Sequence, residues 1–551
     1  MILERKRRHL ERYLEIGRIL AKHGWESLLS RIGLAGIFSL RARRAGVPPG
    51  PVQVRETLEE LGPTFVKLGQ VLSTRPDVIP ADYAAELEKL QDEALPFPSA
   101  EAVQVIEEDL GQPINQLFRS FNDHPFAAAS LGQTHYAILT DGTPVVVKVQ
   151  RPGIRQVIEN DLEMLAGIAR LLESRSKQAR LFGLTDLAEE FSITLRQELD
   201  YAHEGRNGDI FKANFAEVPS VRMAGTIWDR TTSRVLTSDR ISGIKVTDLQ
   251  ALDAHGYNRT QIADNLSRAI FKMVFVDGFF HADPHPGNLL VLDESVVAFV
   301  DYGMVGKLDR QLKAFVTMLI TEYIQQDSAG FSEVLLAMGT APTDLDRKRF
   351  TQEIDRILRQ YYGAPLRDVR IGEILKRAIQ ISSRHNVRLP ASLSLLVKVI
   401  IIVEGIDLQL NPDFDFASEA RPYIARSVQD ELKVSTLKEQ TYHTLLYWKW
   451  LLLELPHRTS EVLDRMAEGA FRVIFKHEGL EDPMHELDRS ANRLSFALMS
   501  SAIIIGSALI ISSKVGPLWR GYSILGIIGF GLSFVLAAWL MISIIRAGKL
   551  W

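Results

Sequence analysis

His281-Ala282-Asp283-Pro284-His285-Pro286-Gly287-Asn288, with Asp301-Tyr302-Gly303 one apolar segment later, decides how this chain is read. An acid, an amide five positions on, and a second acid closing an apolar strand form a particular residue set. It is the set that holds a divalent metal against a nucleotide phosphate and orients an attacking hydroxyl. A second chemistry competes for the same residues, because His-x-Asp-x-His offers imidazole and carboxylate ligands of the kind zinc or iron takes in hydrolytic clusters. No second histidine-rich motif follows to complete a hydrolase site, whereas the remaining parts of a phosphate site occur upstream.

Those parts lie between residues 121 and 241. Pro125-Phe126-Ala127-Ala128-Ala129-Ser130-Leu131-Gly132-Gln133 and the residues up to Leu139 read as strand, small-residue loop and strand. Asp141-Gly142 is a hairpin turn, and Pro144 to Gln150 is a β-branched strand with Lys148 embedded in it. This is the pattern of a hairpin that covers a nucleotide, its lysine needing a phosphate and a helical glutamate as counter-charges. Arg196 to Asn207 supplies the acids Glu198, Asp200 and Glu204 within one helical region that starts at Thr185-Asp186. As a helix it would place Asp200 and Glu204 on one face; a solvated charge ladder with Arg196 is the alternative. Ser233 to Ile241 reads as a strand, and Ser242-Gly243 turns the chain at a hinge. A helix follows from Ile262 to Val276, then the opening stretch, then a hairpin that delivers Asp301 beside Asn288. From 306 to about 430 the apolar spacing is helical.

Residues 1 to about 45 are helical and basic, a pattern that suits either a helix lying on anionic lipid or the solvated face of a packed one. Pro48 to Pro51 marks a linker. The helix after it, Leu61 to Arg75, contains Gly69, which costs about 1 kcal/mol relative to alanine and so suggests that another backbone approaches there.

At 551 residues the chain exceeds one core and suggests about three or four units. A net charge of −4 gives no support to a nucleic-acid partner, and the lack of cysteine excludes disulfides and thiolate nucleophiles. Leu494 to Ser513 and Gly521 to Ile545 carry no charge, and each is long enough to cross about 30 Å of hydrocarbon. Lys514 to Arg520 joins them as a short turn, and Gly529, Ser533 and Ala537 would let the two helices approach closely. Arg489, Arg493, Arg546 and Lys549 flank the pair, so both ends are expected on the cytoplasmic side. Met1 to Arg8 lacks the apolar core of a signal peptide, and Glu4 and Glu11 do not suit a transit peptide.

The motifs resemble the UbiB (AarF-domain) family of atypical protein-kinase-like proteins. The similarity runs from about residue 50 to about 410, through Lys67-Leu68-Gly69-Gln70, Ser73-Thr74-Arg75-Pro76-Asp77, Ala127-Ala128-Ala129-Ser130, Glu198-Leu199-Asp200, His281 to Asn288, and Asp301-Tyr302-Gly303. The resemblance implies an α+β, two-lobed protein-kinase-like fold with a helical N-terminal extension, and the two charge-free segments add a C-terminal transmembrane helical hairpin to the reading. It divides the chain into an extension (1–120), a small lobe with a helical insert (121–245), a large lobe (246–430), an amphipathic helical linker (431–490) and the hairpin (491–551). It implies ATP and Mg2+ as the bound groups. Asp283 and Lys67 become the catalytic candidates, and Asn288 and Asp301 the metal ligands. Lys148, Ala127, Ala128, Ala129, Ser130, Glu204, Glu198 and Asp200 become the nucleotide-site residues.

The family's lysine-x-glycine-glutamine helix folds over the cleft, so Lys67 is expected to meet Glu198 or Asp200 while Glu204 pairs with Lys148. Ser238 stands where the family's hinge often has methionine. Alanines in the loop leave fewer backbone conformations than glycines, and a helix over the cleft would bar a peptide. The expected function is that of an atypical kinase or ATPase, multi-pass in the inner membrane with its kinase-like part in the cytoplasm. It would support biosynthesis of ubiquinone or a related isoprenoid lipid, through the lipid or its biosynthetic enzymes. The alternatives are a nucleotide-gated scaffold and an orthodox serine/threonine protein kinase. Neither the phosphoryl acceptor nor the oligomeric state follows from the sequence.

Overall fold

The computed structural model describes residues 2–25, 49–73, 75, 78–90, 94–175, 180, 183–361, 370–432, 481–513, 516–519 and 521–546. The chain divides into two compact units, Met1–Glu439 and Gln440–Trp551. Thr74, Pro76, Asp77, Lys514, Arg520, Lys549 and most of the expected linker (433–480) lie outside the described residues.

In the first unit, four strands form an antiparallel sheet in the order β1 (Phe118–Phe121), β3 (Gly132–Leu139), β4 (Pro144–Gln150), β6 (Val235–Asp239), with β2 (Ala127–Ala128) paired to β3. The period-2 alternation of β4 buries Val145, Val147 and Val149 on one face. They pack against Ala102, Val105 and Ile106 of the helix Ser99–Leu110, so this lobe's core begins upstream of residue 121. Lys148, one residue out of phase with the valines, is left on the opposite face.

The helices Ile154–Arg175 and Leu184–Glu198 form the insert. Leu162, Phe191 and Leu195 from them enclose Leu68 and Val71 of the covering helix Pro63–Ser73. The first helix, Ile2–Lys22, docks there too: Ile16 and Ile19 meet Leu61, Phe65 and Met164. Arg12 holds the fully buried Asp161 through two nitrogens, at 2.9 and 3.1 Å, and Thr64 donates to the same carboxylate at 2.7 Å. From Arg12 to Lys22 the basic helix is therefore packed against protein. The close neighbours of Gly69 are side chains and not the expected backbone: a Cβ there would lie 2.3 Å from a methyl of Leu90 and 2.8 Å from one of Leu58.

The acidic helical region is two helices and not the one expected. Leu184–Glu198 starts after Gly183, whose left-handed φ of 62° sets the cap position ahead of Thr185-Asp186. It ends at Glu198, and Asp200 caps a new helix, Tyr201–Asn214, by accepting from the Ala202 N–H. Glu198 thus projects from the insert while Glu204 projects into the cleft.

The large lobe carries the sheet β5 (Val221–Met223), β10 (Val297–Phe299), β9 (Leu289–Val291), β7 (Ile244–Lys245) and the ribbon β8 (Phe279–His281) with β11 (Val305–Lys307). Behind these, eight helices from Leu249–Ala254 to Phe416–Leu432 enclose one apolar core among the described residues. The helix Arg259–Phe271 runs into a wider π-type segment, Lys272–Asp277, just before β8.

In the second unit, Glu481–Ser513 and Ile524–Arg546 are joined through the short ribbon Leu518–Trp519 and Tyr522–Ser523. Leu494–Ser513 and Ile524–Met541 are apolar and long enough to cross a membrane. The close-packed face of the second helix is Gly526, Gly529 and Ser533 against Ser507 and Ser500; Ala537, expected in it, is exposed.

Candidate active site

His281 ties the site together. It ends β8, is buried, and uses both ring nitrogens: Nδ1 accepts from the Asp283 N–H at 3.1 Å, and Nε2 donates to the Asp301 carbonyl oxygen. Burial lowers its pKa, which keeps the ring neutral and suits it to this bridge. His285 is exposed and accepts from the Gly287 N–H. The two histidines therefore do not converge as metal ligands. Among the described residues no three His, Asp or Glu side chains are placed to share a metal. The hydrolytic-cluster reading loses its geometry here.

The hairpin turn at Glu294 and Ser295, both left-handed, folds β10 back on β9 and brings the Val300 N–H to the Asn288 carbonyl at 3.2 Å. Asp301 follows directly. Its Oδ1 accepts from the Gly303 N–H at 2.9 Å and its Oδ2 lies 3.4 Å from Lys148 Nζ. Burial works against its charge, but Lys148, that N–H and His281 outweigh it and hold the pKa at about 2. The Asn288 amide donates to the Asp283 carbonyl at 3.3 Å, leaving its oxygen as the atom that would meet a cation.

Lys148 pairs with Glu204 at 2.8 Å, and its ammonium lies 5.2 Å from the centre of the Tyr201 ring. Burial opposes the lysine's charge, but Asp301 and Glu204 raise its pKa well above the ordinary value. Glu204 is pushed up to about 7 by burial first, with Asp301 adding to the shift and Lys148 opposing it. A carboxyl whose folded pKa lies above the unfolded value of about 4.5 keeps a proton that the unfolded chain has lost. Its contribution to stability is present at low pH and declines as pH rises through that window, until about pH 7. Glu204→Gln should flatten this decline, and melting temperatures of the two proteins between about pH 5 and 8 check it.

The alanine loop is tight: Ala127 and Ala128 pair with Thr134 and Gln133, and the Ala129 N–H donates to the Gly132 carbonyl at 2.8 Å. Gly132 is required at its end, because a Cβ there would lie 2.4 Å from both the Tyr201 hydroxyl and the Val149 carbonyl oxygen. Ser130 is buried beside it. Lys67, from the covering helix, forms an ion pair with Glu198. Asp200 caps its helix and pairs with Arg206 at 3.1 Å. Gln70 donates to the Leu90 carbonyl at 3.2 Å. Ser238 is paired on both edges, to Val146 and to Thr226, so a hinge contact to an adenine would fall after it.

Two contributors escape the sequence reading. Tyr201 forms the floor under Lys148. Lys398, from the helix Ala391–Leu410, lies 2.9 Å from the Asp283 carboxylate. The signal for Lys398 is visible in retrospect: it is the one charge between Ala391 and Val403.

Residues 89–335 match the ABC1 atypical kinase-like domain, residues 354–415 the UbiB helical domain, and residues 478–546 the ABC1/UbiB kinase-like C-terminal domain. A protein of Clostridium pasteurianum, named only from its position in the 5′ region of hydrogenase 1, is 32% identical over 98% of this chain and 99% of its own length. A Marinobacter nauticus protein named probable protein kinase UbiB is 35% identical over 75% of this chain and 76% of its own. A solved complex of a Mycobacterium tuberculosis protein with erythromycin is 27% identical, covers 66% of this chain and 93% of its own, and superposes with a TM-score of 0.47. Full-length similarity and three successive domain matches agree: the chain belongs to the ABC1/UbiB family of atypical kinase-like proteins.

Proposed function

We propose that this protein is a membrane-anchored atypical kinase or ATPase that binds Mg-ATP and supports biosynthesis of ubiquinone or a related isoprenoid lipid. The observation that carries the reading is the cluster Lys148–Glu204–Asp301, joined through His281 to Asp283. The donors fit magnesium: Asp301, ionised at any ordinary pH, and the Asn288 amide are hard oxygen ligands. Magnesium bound there would neutralise phosphate charge. Lys148 binds the phosphates, Glu204 fixes its ammonium, the alanine loop closes over them, and Asp283 takes the proton of the attacking water or hydroxyl. The two apolar helices support a membrane anchor, and the basic residues that flank them in the sequence, Arg489, Arg493, Arg546 and Lys549, favour a cytoplasmic position for the kinase-like part. The relatives named UbiB support the quinone pathway. The test is magnesium-dependent ATP turnover, with and without anionic vesicles, together with lipid profiling of a deletion strain. Turnover with an accumulated isoprenoid precursor is expected; no turnover under any lipid condition would overturn the enzymatic part.

A nucleotide-gated scaffold is the second reading. It predicts that Asp283→Asn, which keeps the nucleotide-binding residues, still functions in cells. An orthodox protein kinase is the third. Lys67, paired with Glu198 on the insert, fixes the helix Pro63–Ser73 there, and we read that helix as the barrier to a peptide. Neither the parent nor Lys67→Ala should transfer radiolabelled phosphate to a protein; a labelled protein with either would revive the kinase reading.

A further inference from the structure

Lys398 is placed where no solvated lysine needs to be. Its helix, Ala391–Leu410, is apolar around it, and Leu396, Val397, Val399 and Ile400 are buried in the large-lobe core. The helix packs against β11, and β11 pairs with β8 so that Val305 sits opposite His281. Lys398, Asp283 and Asp301 are thereby fixed to one frame. Lys398 also lies in the helical domain (354–415), outside the segment that matches the kinase-like domain (89–335).

The charge balance says what the ammonium is for. Glu204, Asp283 and Asp301 bring three carboxylates to this cluster, and Lys148 contacts Glu204 and Asp301 but not Asp283. Without Lys398 the Asp283 end would present bare negative charge to an incoming polyphosphate. Side-chain exposures of 36% for Lys398 and 37% for Asp283 show an ion pair open to solvent. Such pairs are weak and are readily diverted to a partner of higher charge. A terminal phosphate is such a partner.

We propose that Lys398 is a phosphate-recognising residue, delivered by the helical domain to contact the terminal phosphate of ATP, an inference that rests on the ATP reading above. In hydrolysis, the water oxygen bonds to the terminal phosphorus and the bond to the bridging oxygen breaks. That electron pair leaves with ADP, and the proton of the water passes to Asp283 and then to solvent. Lys398 offsets the charge on the phosphoryl oxygens as the phosphorus passes from the bridging oxygen to the water oxygen held at Asp283.

The experiment is calorimetric binding of the non-hydrolysable β,γ-imido analogue of ATP and of ADP to the full chain, for the parent, Lys398→Met and Lys398→Arg. Lys398→Met should weaken analogue binding roughly tenfold, as loss of a charge-assisted bond does, and leave ADP within about twofold. Lys398→Arg should keep most of the preference for the analogue. Turnover by Lys398→Met should fall at least as far as analogue affinity. If analogue and ADP change alike in Lys398→Met, or neither changes, the phosphate contact is overturned. A fall in turnover with nucleotide discrimination intact also overturns it, because Lys398 would then only position Asp283. A parent that binds neither nucleotide would overturn the ATP reading itself, an outcome distinct from the others.

Discussion

Asp301→Asn should remove magnesium-dependent ATP turnover, with a loss on the order of a thousandfold or more. The substitution is nearly isosteric, so the effect comes from charge. Asp301 accepts from the Gly303 N–H through Oδ1, and an asparagine oxygen accepts the same bond. Its Oδ2 faces Lys148, and there an amide offers either a neutral oxygen or a repelling NH2. A pKa of about 2 means that Asp301 is anionic across the working range of pH, so it can hold a metal without first losing a proton. Losing that anion leaves Asn288 as the remaining ligand of the proposed pair, too little to hold magnesium against its hydration shell. Steady-state turnover across a magnesium titration is the measurement. Turnover within about tenfold of the parent at saturating magnesium would place the metal elsewhere.

The small-lobe hairpin and the hairpin that carries Asn288 and Asp301 are legible in the sequence because both are local. A turn dipeptide, an alternating valine run with one lysine out of phase, and an acid five residues before an amide specify their own geometry. The pairing of Lys148 with Glu204 needed the resemblance, because charge spacing alone offers Glu198, Asp200 and Glu204 without ranking them. What ranks them is a break at Leu199-Asp200, and Asp200 reads equally well as a helical residue or as a cap. Gly69 likewise signals a tight approach without saying from what, since a leucine methyl and a peptide group exclude a Cβ equally well. Lys398 is the furthest from reach: 115 residues separate it from Asp283, and only the packing of Ala391–Leu410 on β11 joins them. His281 shows the opposite failure. Its spacing suggests a ligand, yet burial and two hydrogen bonds make it a strut.

Lys148→Met should cost at least a hundredfold in turnover while the fold survives, and the two effects should separate. Methionine keeps the stem of the lysine, so the packing of Val147 and Val149 loses little, although the contact of the ammonium with the Tyr201 ring goes. What disappears is the ammonium between Glu204 at 2.8 Å and Asp301 at 3.4 Å. Removing one partner of a buried pair costs about 3–5 kcal/mol when the other stays charged, and the 27% exposure of the Lys148 side chain reduces that cost here. Glu204 has another way out. Its pKa is already pushed up to about 7, with Lys148 opposing the rise; without Lys148 it goes higher and the carboxyl takes up a proton at neutral pH. The cost should therefore fall to about 1–3 kcal/mol near neutrality and grow as pH rises. The sign follows from a raised folded pKa, because stability is lost as pH climbs from the unfolded value through the folded one. Adding Glu204→Gln removes the titrating group, so the double variant should regain stability at alkaline pH. It should regain no turnover, since the phosphate-binding charge is still missing. Denaturant melts at two pH values and turnover, measured across this mutant cycle, separate the electrostatic role of Lys148 in folding from its role in chemistry. Turnover within about threefold of the parent in Lys148→Met would mean that the phosphates are bound by some other cation.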